Sequence, residues 1–260
     1  LTMKSDTEDD CYSVYLMPWK IQELVKKYSD YVRWPIRTDV ETTEKYETGD
    51  VDEAGIQKMG VRTVTKEDVV NSMIPIWKRR KSEVSEEEYN EFYKSDFHDY
   101  ANRLRTISIH AEGTLSYDAL LFIPSHAPYD LYSKDYKKGL ALYTSNVLIM
   151  EKCEELLPDY FNFVRGVVDS QDLTLNISRE TLQHKGQLRA IAQKLEKKIK
   201  SDLLKMLEDD REAYEGFFKD FGRGIKYGVY SSYGMDADKL SDLLLFYSAT
   251  EKRMITLAEY

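Results

Sequence analysis

The chain has 260 residues, 42% of them hydrophobic and 32% charged, and a formal net charge of −9. That length supports one large domain or two smaller ones with their own cores, and the acidic balance argues against a general nucleic-acid binder, which needs a basic field. Two cysteines, Cys11 and Cys153, stand far apart without CxxC spacing, which argues against a disulfide framework or zinc knuckle and for a reducing compartment; no apolar run approaches a membrane span.

Residues 1–5, LTMKS, read as the tail of a strand, and the start at Leu1 rather than Met reads as an excised piece of something longer. Over 12–34, Ile21, Leu24, Val25 and Tyr28 recur at helical spacing until Pro35, predicting a docking helix. In 38–60 apolar residues thin out among Glu, Thr, Asp and Gly, which predicts a linker. Ser85 ahead of Glu86, Glu87 and Glu88 is a capping-box arrangement, and Tyr89, Phe92 and Tyr93 give the helix behind it an apolar stripe. Residues 105–112 and 116–123 read as a hairpin turned at Gly113, followed by strands at 140–143 and 146–150. Such a sheet needs a helical cover.

Four helical segments are available for that cover. Residues 154–168 place Leu156, Leu157, Tyr160, Phe161 and Val164 at helical spacing. Leu188, Ile191, Leu195, Ile199, Leu203 and Met206 mark a helix of about five turns, the longest in the chain. Tyr214, Phe217, Phe218, Phe221 and Ile225 mark another that ends near Gly228, and residues 237–247 a further one. Gly222-Arg223-Gly224 lacks the strand and Lys-Ser/Thr of a phosphate loop, so it reads as a helix C-terminal turn. The four histidines have no metal spacing.

The chemistry concentrates in residues 165–189, RGVVDSQDLTLNISRETLQHKGQLR. The first half is rich in loop formers (Gly166, Asp169, Ser170, Asp172), and Ser178 is a good N-cap for the long helix. Arg179 then falls in a first turn, where unpaired N–H groups and the positive end of the helix dipole disfavour a cation by roughly 0.3–1 kcal/mol. Two readings of that residue stay open: it awaits a phosphate or carboxylate, or it pairs with Glu180 on a solvated surface. Trp77 and Tyr129 sit in turn-like contexts, as exposed anchors or as packing, and Lys78-Arg79-Arg80-Lys81 is an acidic-partner site or a solvated run.

The run from Asn162-Phe163-Val164-Arg165-Gly166-Val167-Val168-Asp169-Ser170 through Leu175-Asn176-Ile177-Ser178-Arg179-Glu180 and Leu182-Gln183 closely resembles the middle segment of the ninety-kilodalton heat-shock chaperone family, in its bacterial HtpG-type branch. Pro75-Ile76-Trp77, Phe92-Tyr93-Lys94, Leu120-Leu121-Phe122-Ile123-Pro124, Ala127-Pro128 and Leu142-Tyr143 match in the same order. The resemblance implies an α/β fold: a large α/β/α layered middle domain with a mixed sheet, then a helical connector and the start of a smaller α/β subdomain. It divides the chain into residues 1–37 (end of an N-terminal ATPase domain), 38–65 (acidic linker), 66–209 (large subdomain with a catalytic loop) and 210–260 (connector and truncated small subdomain).

The same resemblance implies an ATP-dependent, homodimeric cytoplasmic chaperone of the stress response. Its partners are unfolded or partly folded client proteins and its own N-terminal ATPase and C-terminal dimerisation domains; nucleic acid and membrane are not among them. ATP and Mg are expected mainly in the N-terminal domain, with no cofactor or metal in this piece, which alone is expected to hydrolyse nothing. Arg179 occupies the position of the family's catalytic-loop arginine, with Gln183 and Asn176 as polar companions, and Trp77 and Tyr129 fall where the family presents aromatics to clients. The chain departs from the family pattern at Ser125-His126, at Thr144, Ser145 and Asn146, and at Tyr129, where Phe is common.

Overall fold

A computed structural model describes residues 4–7, 10–51, 57–173 and 185–260, and in it the chain divides into two units, Leu1–Pro75 and Ile76–Tyr260. The first unit opens with a 3-10 turn at Tyr12–Leu16 and helix α1, Pro18–Tyr28. Pro18 sets that start: its ring pre-forms the helical φ, lacks only an N–H that would be unpaired anyway, and leaves Met17 extended. The helix predicted over 12–34 is therefore interrupted at its beginning. It also ends early, at Tyr28, because Asn71 binds the chain beyond it. Its side chain donates to the Val32 and Trp34 carbonyls (2.8 and 3.0 Å) and accepts from Ile36 N–H (2.7 Å). Asp30, also buried, accepts from Ser72 N–H at 2.9 Å and pairs with Lys26 at 3.0 Å.

The stretch read as an acidic linker is not irregular. Strands β1 (Arg37–Val51) and β2 (Gln57–Val69) form a long antiparallel ribbon in register from Arg37↔Val69 to Glu47↔Met59. Cross-strand ion pairs line it: Glu44 meets Arg62 at 3.2 Å and also Lys66, and Glu67 meets Arg37 at 3.3 Å. A ribbon polar on both faces lacks the apolar alternation that marks a half-buried strand, although its Thr and Val residues are good strand formers. Of the expected strand tail at 1–5, residues 1–3 lie outside the described residues, and Lys4 and Ser5 belong to no strand.

The second unit is a layered α/β structure. Helix α2, Glu86–Phe97, starts on the capping box: Ser85 Oγ accepts from Glu88 N–H at 3.1 Å, and the Glu88 carboxylate accepts from Ser85 N–H at 2.9 Å. Strands β3 (Arg103–Ala111), β4 (Tyr117–Pro124), β5 (Leu140–Thr144), β6 (Val147–Cys153) and β7 (Arg165–Asp169) form one sheet in the order β3-β4-β7-β5-β6. β7 is antiparallel to β4 and parallel to β5, so the sheet is mixed. β4 is buried on both faces, which is why it reads as a continuous apolar run. Its Phe122 packs among Phe92, Tyr93 and Phe97 of α2, with ring centroids 5.4–6.0 Å apart. Ala119, Leu121 and Ile123 join the other core, with helices α3 (Lys185–Asp209) and α4 (Arg211–Ser231).

The predicted stripe of α3, from Leu188 to Met206, is buried throughout. In α4, Phe217 and Phe221 close on Phe163 at 5.3 and 4.6 Å. Gly222 and Gly224, expected at a helix end, lie inside α4. Among the described residues no helix is long and apolar enough to cross a membrane.

Two predicted helices are corrected. Residues 154–168 form 3-10 turns at Glu154–Leu156 and Asp159–Phe161 and then enter β7. Pro158 breaks the hydrogen-bond ladder, and Gly166-Val167-Val168 favours extended backbone. The sequence's loop at 165–169 is thus a central strand. Residues 237–247 give only a short helix α5, Ala237–Leu240, and a 3-10 turn at Ser241–Leu243. Leu243, Leu244 and Leu245 are all buried, which consecutive positions on a one-faced helix do not permit, and β8 (Phe246–Ser248) then pairs with β9 (Arg253–Ile255).

Gly166 shows how tightly β7 is seated. Its φ is +150°, and a Cβ there would lie 2.2 Å from the Leu120 carbonyl oxygen and 2.8 Å from Leu121 Cα. Gly166→Ala should cost roughly 3 kcal/mol or more in urea unfolding, since strand backbone, not a movable side chain, blocks the methyl. At the far end of the unit, Glu259 accepts from Thr256 N–H at 2.6 Å and meets Arg211 and Arg253. Those bonds, first the Thr256 amide and then Arg211, pull its carboxyl from 4.5 down to about 2. Because the folded value is the lower one, its contribution is present above pH 4.5 and is lost as pH falls toward 2. The difference in urea midpoint between the native chain and Glu259→Gln should shrink across that window.

Candidate functional site

The site is best built from the carboxyl ends of the two parallel strands, β5 and β7, where open α/β sheets place their ligands. β7 ends in Asp169, whose carboxylate is fully buried. Three donors compensate it. Lys78 Nζ reaches Oδ2 at 2.8 Å, Trp77 Nε1–H donates to the same oxygen at 3.3 Å, and Asn146 N–H donates to Oδ1 at 3.4 Å. Asn146 and Ser145 have φ of 68° and 51°, the paired positive values of a two-residue I′ hairpin turn joining β5 to β6.

The chain beyond Asp169 is pinned residue by residue. Ser170 N–H donates to the Tyr143 carbonyl at 3.2 Å, and its hydroxyl donates to the Ser116 carbonyl at 2.7 Å. Ser170 Oγ also accepts from Asp172 N–H at 3.3 Å, and the Asp172 carboxylate accepts from Ser116 N–H at 2.6 Å. Thr144 Oγ1 donates to the Leu173 carbonyl at 3.5 Å, with the Leu173 side chain buried. The side chains of Asp169, Ser170 and Asp172 therefore all find partners, as buried polar groups must. Asn146 Oδ1 is the exception: it is buried with no hydrogen-bond partner among the described residues.

From this root the chain runs on to α3. Asn176, Arg179 and Gln183, and the proposed cap Ser178, fall in 174–184, outside the described residues. The two aromatics part company. Tyr129 is fully exposed, at 103% of its reference area, in the turn closed by the Leu131 N–H to Pro128 carbonyl bond. Trp77 has no exposed surface, so its expectation as a surface anchor for clients is overturned. Its ring lies 4.8 Å from Tyr143 and 6.2 Å from Phe92, and its indole N–H is directed at Asp169.

The basic run after Trp77 is also divided. Lys78 serves Asp169 and Arg79 pairs with Glu88 at 2.7 Å, so half of it is internal structure. Sequence reading took Asp169, Ser170 and Asp172 for loop formers and missed their frame-building role. The available signal was three polar residues directly behind a β-branched Gly-Val-Val run. Among the described residues, no group of three or more His, Cys, Asp or Glu could hold a metal ion.

Comparison with known proteins adds what geometry alone does not. A family model described as Hsp90 protein matches residues 47–260. The chain is 50% identical over 262 residues to the chaperone protein HtpG of Alkaliphilus metalliredigens, and 49% and 48% identical over 260 residues to those of Clostridium perfringens and Bacillus subtilis. Each alignment covers 100% of this chain and 40% of the relative, so the chain spans about two-fifths of their length. A match running from the β1–β2 ribbon through β9, together with near half identity along the whole sequence, establishes that the chain belongs to the Hsp90 protein family.

Proposed function

We propose that this chain is the part of an ATP-dependent chaperone that delivers a catalytic arginine, Arg179, to a nucleotide held elsewhere in the protein. The observation that carries the reading is the root just described. Residues 169–173 are fixed at the carboxyl end of a parallel strand pair, and chain order hangs Arg179 six residues beyond Leu173, before α3. A site of that build offers a stiff base to a residue that must meet a ligand accurately. Asn146 Oδ1 beside Asp169, buried and without a partner among the described residues, is an acceptor to which a donor could come.

ATP with Mg supplies the terminal phosphoryl group that water takes up. Lys78, the cation at the root, is committed to Asp169. This chain's own contribution is the guanidinium of Arg179, whose planar fork can donate two parallel N–H bonds to phosphate oxygens as charge builds there. Asn176 and Gln183 are read as its polar companions. The remaining partners, a neighbouring ATPase domain, a dimerising second copy and a cytoplasmic location, belong to the same proposal.

A second reading, that the chain chiefly holds client proteins and takes no direct part in hydrolysis, is favoured by Tyr129, a fully exposed aromatic in a turn. The two readings separate in the full-length protein. With Arg179→Ala, kcat for ATP should fall by about 10²–10³-fold while ATP affinity holds within about threefold, because a contact made in the transition state is what is lost. Unchanged turnover would leave only the holding role. The 260-residue chain alone should release no phosphate from ATP.

The aromatics give an independent check on the holding role. Tyr129→Ala should reduce capture of an unfolded protein while shifting stability by no more than about 0.5 kcal/mol, as for an exposed substitution. Trp77→Ala should instead cost about 3–5 kcal/mol in unfolding experiments, because it empties a core position and strips a donor from Asp169.

A further inference from the structure

We propose that the groove between the β4–β5 loop and the outer face of α4 docks an extended acidic segment of another protein, in which carboxylates alternate with aromatic or aliphatic side chains. The proposal does not rest on Arg179 or Tyr129. On α4, Arg223, Lys226, Tyr227 and Tyr230 fall at i, i+3, i+4 and i+7, one continuous stripe turned away from the buried face of Phe217, Phe221 and Ile225. Tyr132 and Lys134 form the facing wall, and the space between encloses about 810 Å³.

An outer helix face in an acidic protein is ordinarily mixed in charge and poor in aromatics. This one is neither. Tyr227 and Tyr230 are 61% and 79% exposed, with ring centroids 6.1 Å apart. The Arg223 guanidinium lies 5.0 Å over the Tyr132 ring, and Lys226 Nζ lies 4.6 Å over Phe246. Gly224 sits where the two walls meet, with the Tyr132 hydroxyl 3.9 Å from where a Cβ would be, an ordinary packing distance.

Charge selects the occupant. Four cations line the groove against two carboxylates, Glu154 and Asp159, and Lys138 is already paired with Asp159. Lys134, Arg223 and Lys226 form no ion pair among the described residues, so the groove lining is net positive on a chain of net charge −9, although Asp220, one turn before Arg223 and bound to the Ala127 amide, flanks it. Cations held over aromatic rings and flanked by exposed tyrosines suit a ligand that brings carboxylates and apolar groups together.

Shape selects its size. Within α4 the stripe from Arg223 to Tyr230 runs about 10 Å, and Tyr233 and Met235, also strongly exposed, follow in the turn beyond the helix end at Ser231. The helical part alone matches about three residues of extended chain at about 3.3 Å each. A small molecule would call for polar groups converging on one point, and here they are strung out in a line. A nucleic acid would extend its charge past the groove into the field of an acidic protein, whereas a short peptide senses mainly what lies within a Debye length of about 8 Å.

The test is fluorescence anisotropy of a labelled ten-residue peptide alternating Glu or Asp with Phe or Leu, titrated with the full 260-residue chain. Saturable binding is expected, and it should weaken about tenfold or more in Arg223→Glu with Lys226→Glu and again in Tyr227→Ala with Tyr230→Ala, but not in Lys197→Glu elsewhere on the surface. All four positions are exposed, so folding should survive. A benzophenone-bearing form of the peptide tests the unaltered chain as well, and should crosslink within residues 131–134 or 223–235. Equal binding of the peptide with Lys in place of its acids, or with Ser in place of its apolar residues, would overturn the proposal. So would tighter binding of a ten-nucleotide oligo(dT), indifference to both double variants, or crosslinks confined to other surfaces.

Discussion

A single buried carboxylate, Asp169, ties together the carboxyl ends of β5 and β7 in the second unit. Moving an ion of that size out of water costs several kcal/mol even after relaxation, so the group persists only because Lys78, Trp77 and the Asn146 amide all converge on it. Those three donors come from separate parts of the chain: the segment leading to α2, and the turn between β5 and β6. One carboxylate therefore registers the end of a central strand against both. A hydrophobic replacement could fill the same volume, but it could not fix three donors in direction. A directional tie is what the proposed role of the segment beyond it would require.

The layers around the sheet explain why this tie can be buried. β4 gives Phe122 to the aromatic cluster with α2, and gives Ala119, Leu121 and Ile123 to the larger core under α3 and α4. With both faces covered, the sheet interior is dry, and the ends of β5 and β7 meet the Trp77 and Lys78 segment rather than solvent. Trp77 is then a structural residue twice over, filling space beside Tyr143 and Phe92 and donating to Asp169. Its turn-like sequence context concealed this, because Ile74-Pro75-Ile76-Trp77 gives no periodicity from which burial can be read.

Legibility in the sequence followed the reach of the forces involved. Helices α2, α3 and α4 were readable because a capping box and a 3.6-residue apolar stripe are local signals, and the β3–β4 hairpin because its turn, the alternation of β3 and the apolar run of β4 are local too. β7 was missed, since a strand buried on both faces loses its alternation, and Leu156, Leu157, Tyr160, Phe161 and Val164 imitate a helical stripe across Pro158. The β1–β2 ribbon was missed for the opposite reason: it has almost no apolar face, and its order comes from pairing with residues about thirty positions away at the open end. At the candidate site, the residue types of 169–172 were plain, but their bonds to Ser116, Tyr143 and Lys78 depend on contacts that no local pattern encodes.

The two ends of the Arg179 segment constrain it unequally in kind but alike in effect. On one side Leu173 is buried and its carbonyl is bound by Thr144, behind Ser170 and Asp172, which are tied to Ser116. On the other, α3 is a 25-residue helix with Leu188, Ile191, Leu195, Ile199, Leu203 and Met206 all buried, and its end passes directly into the Asp210 cap of α4. Shifting the root would break several polar bonds in a dry setting, and shifting α3 would unseat a core it shares with α4. Either costs far more than the few kcal/mol that separate alternative states in a working switch. Both flanks of that segment, residues 169–173 and α3, are therefore held in place by the fold itself.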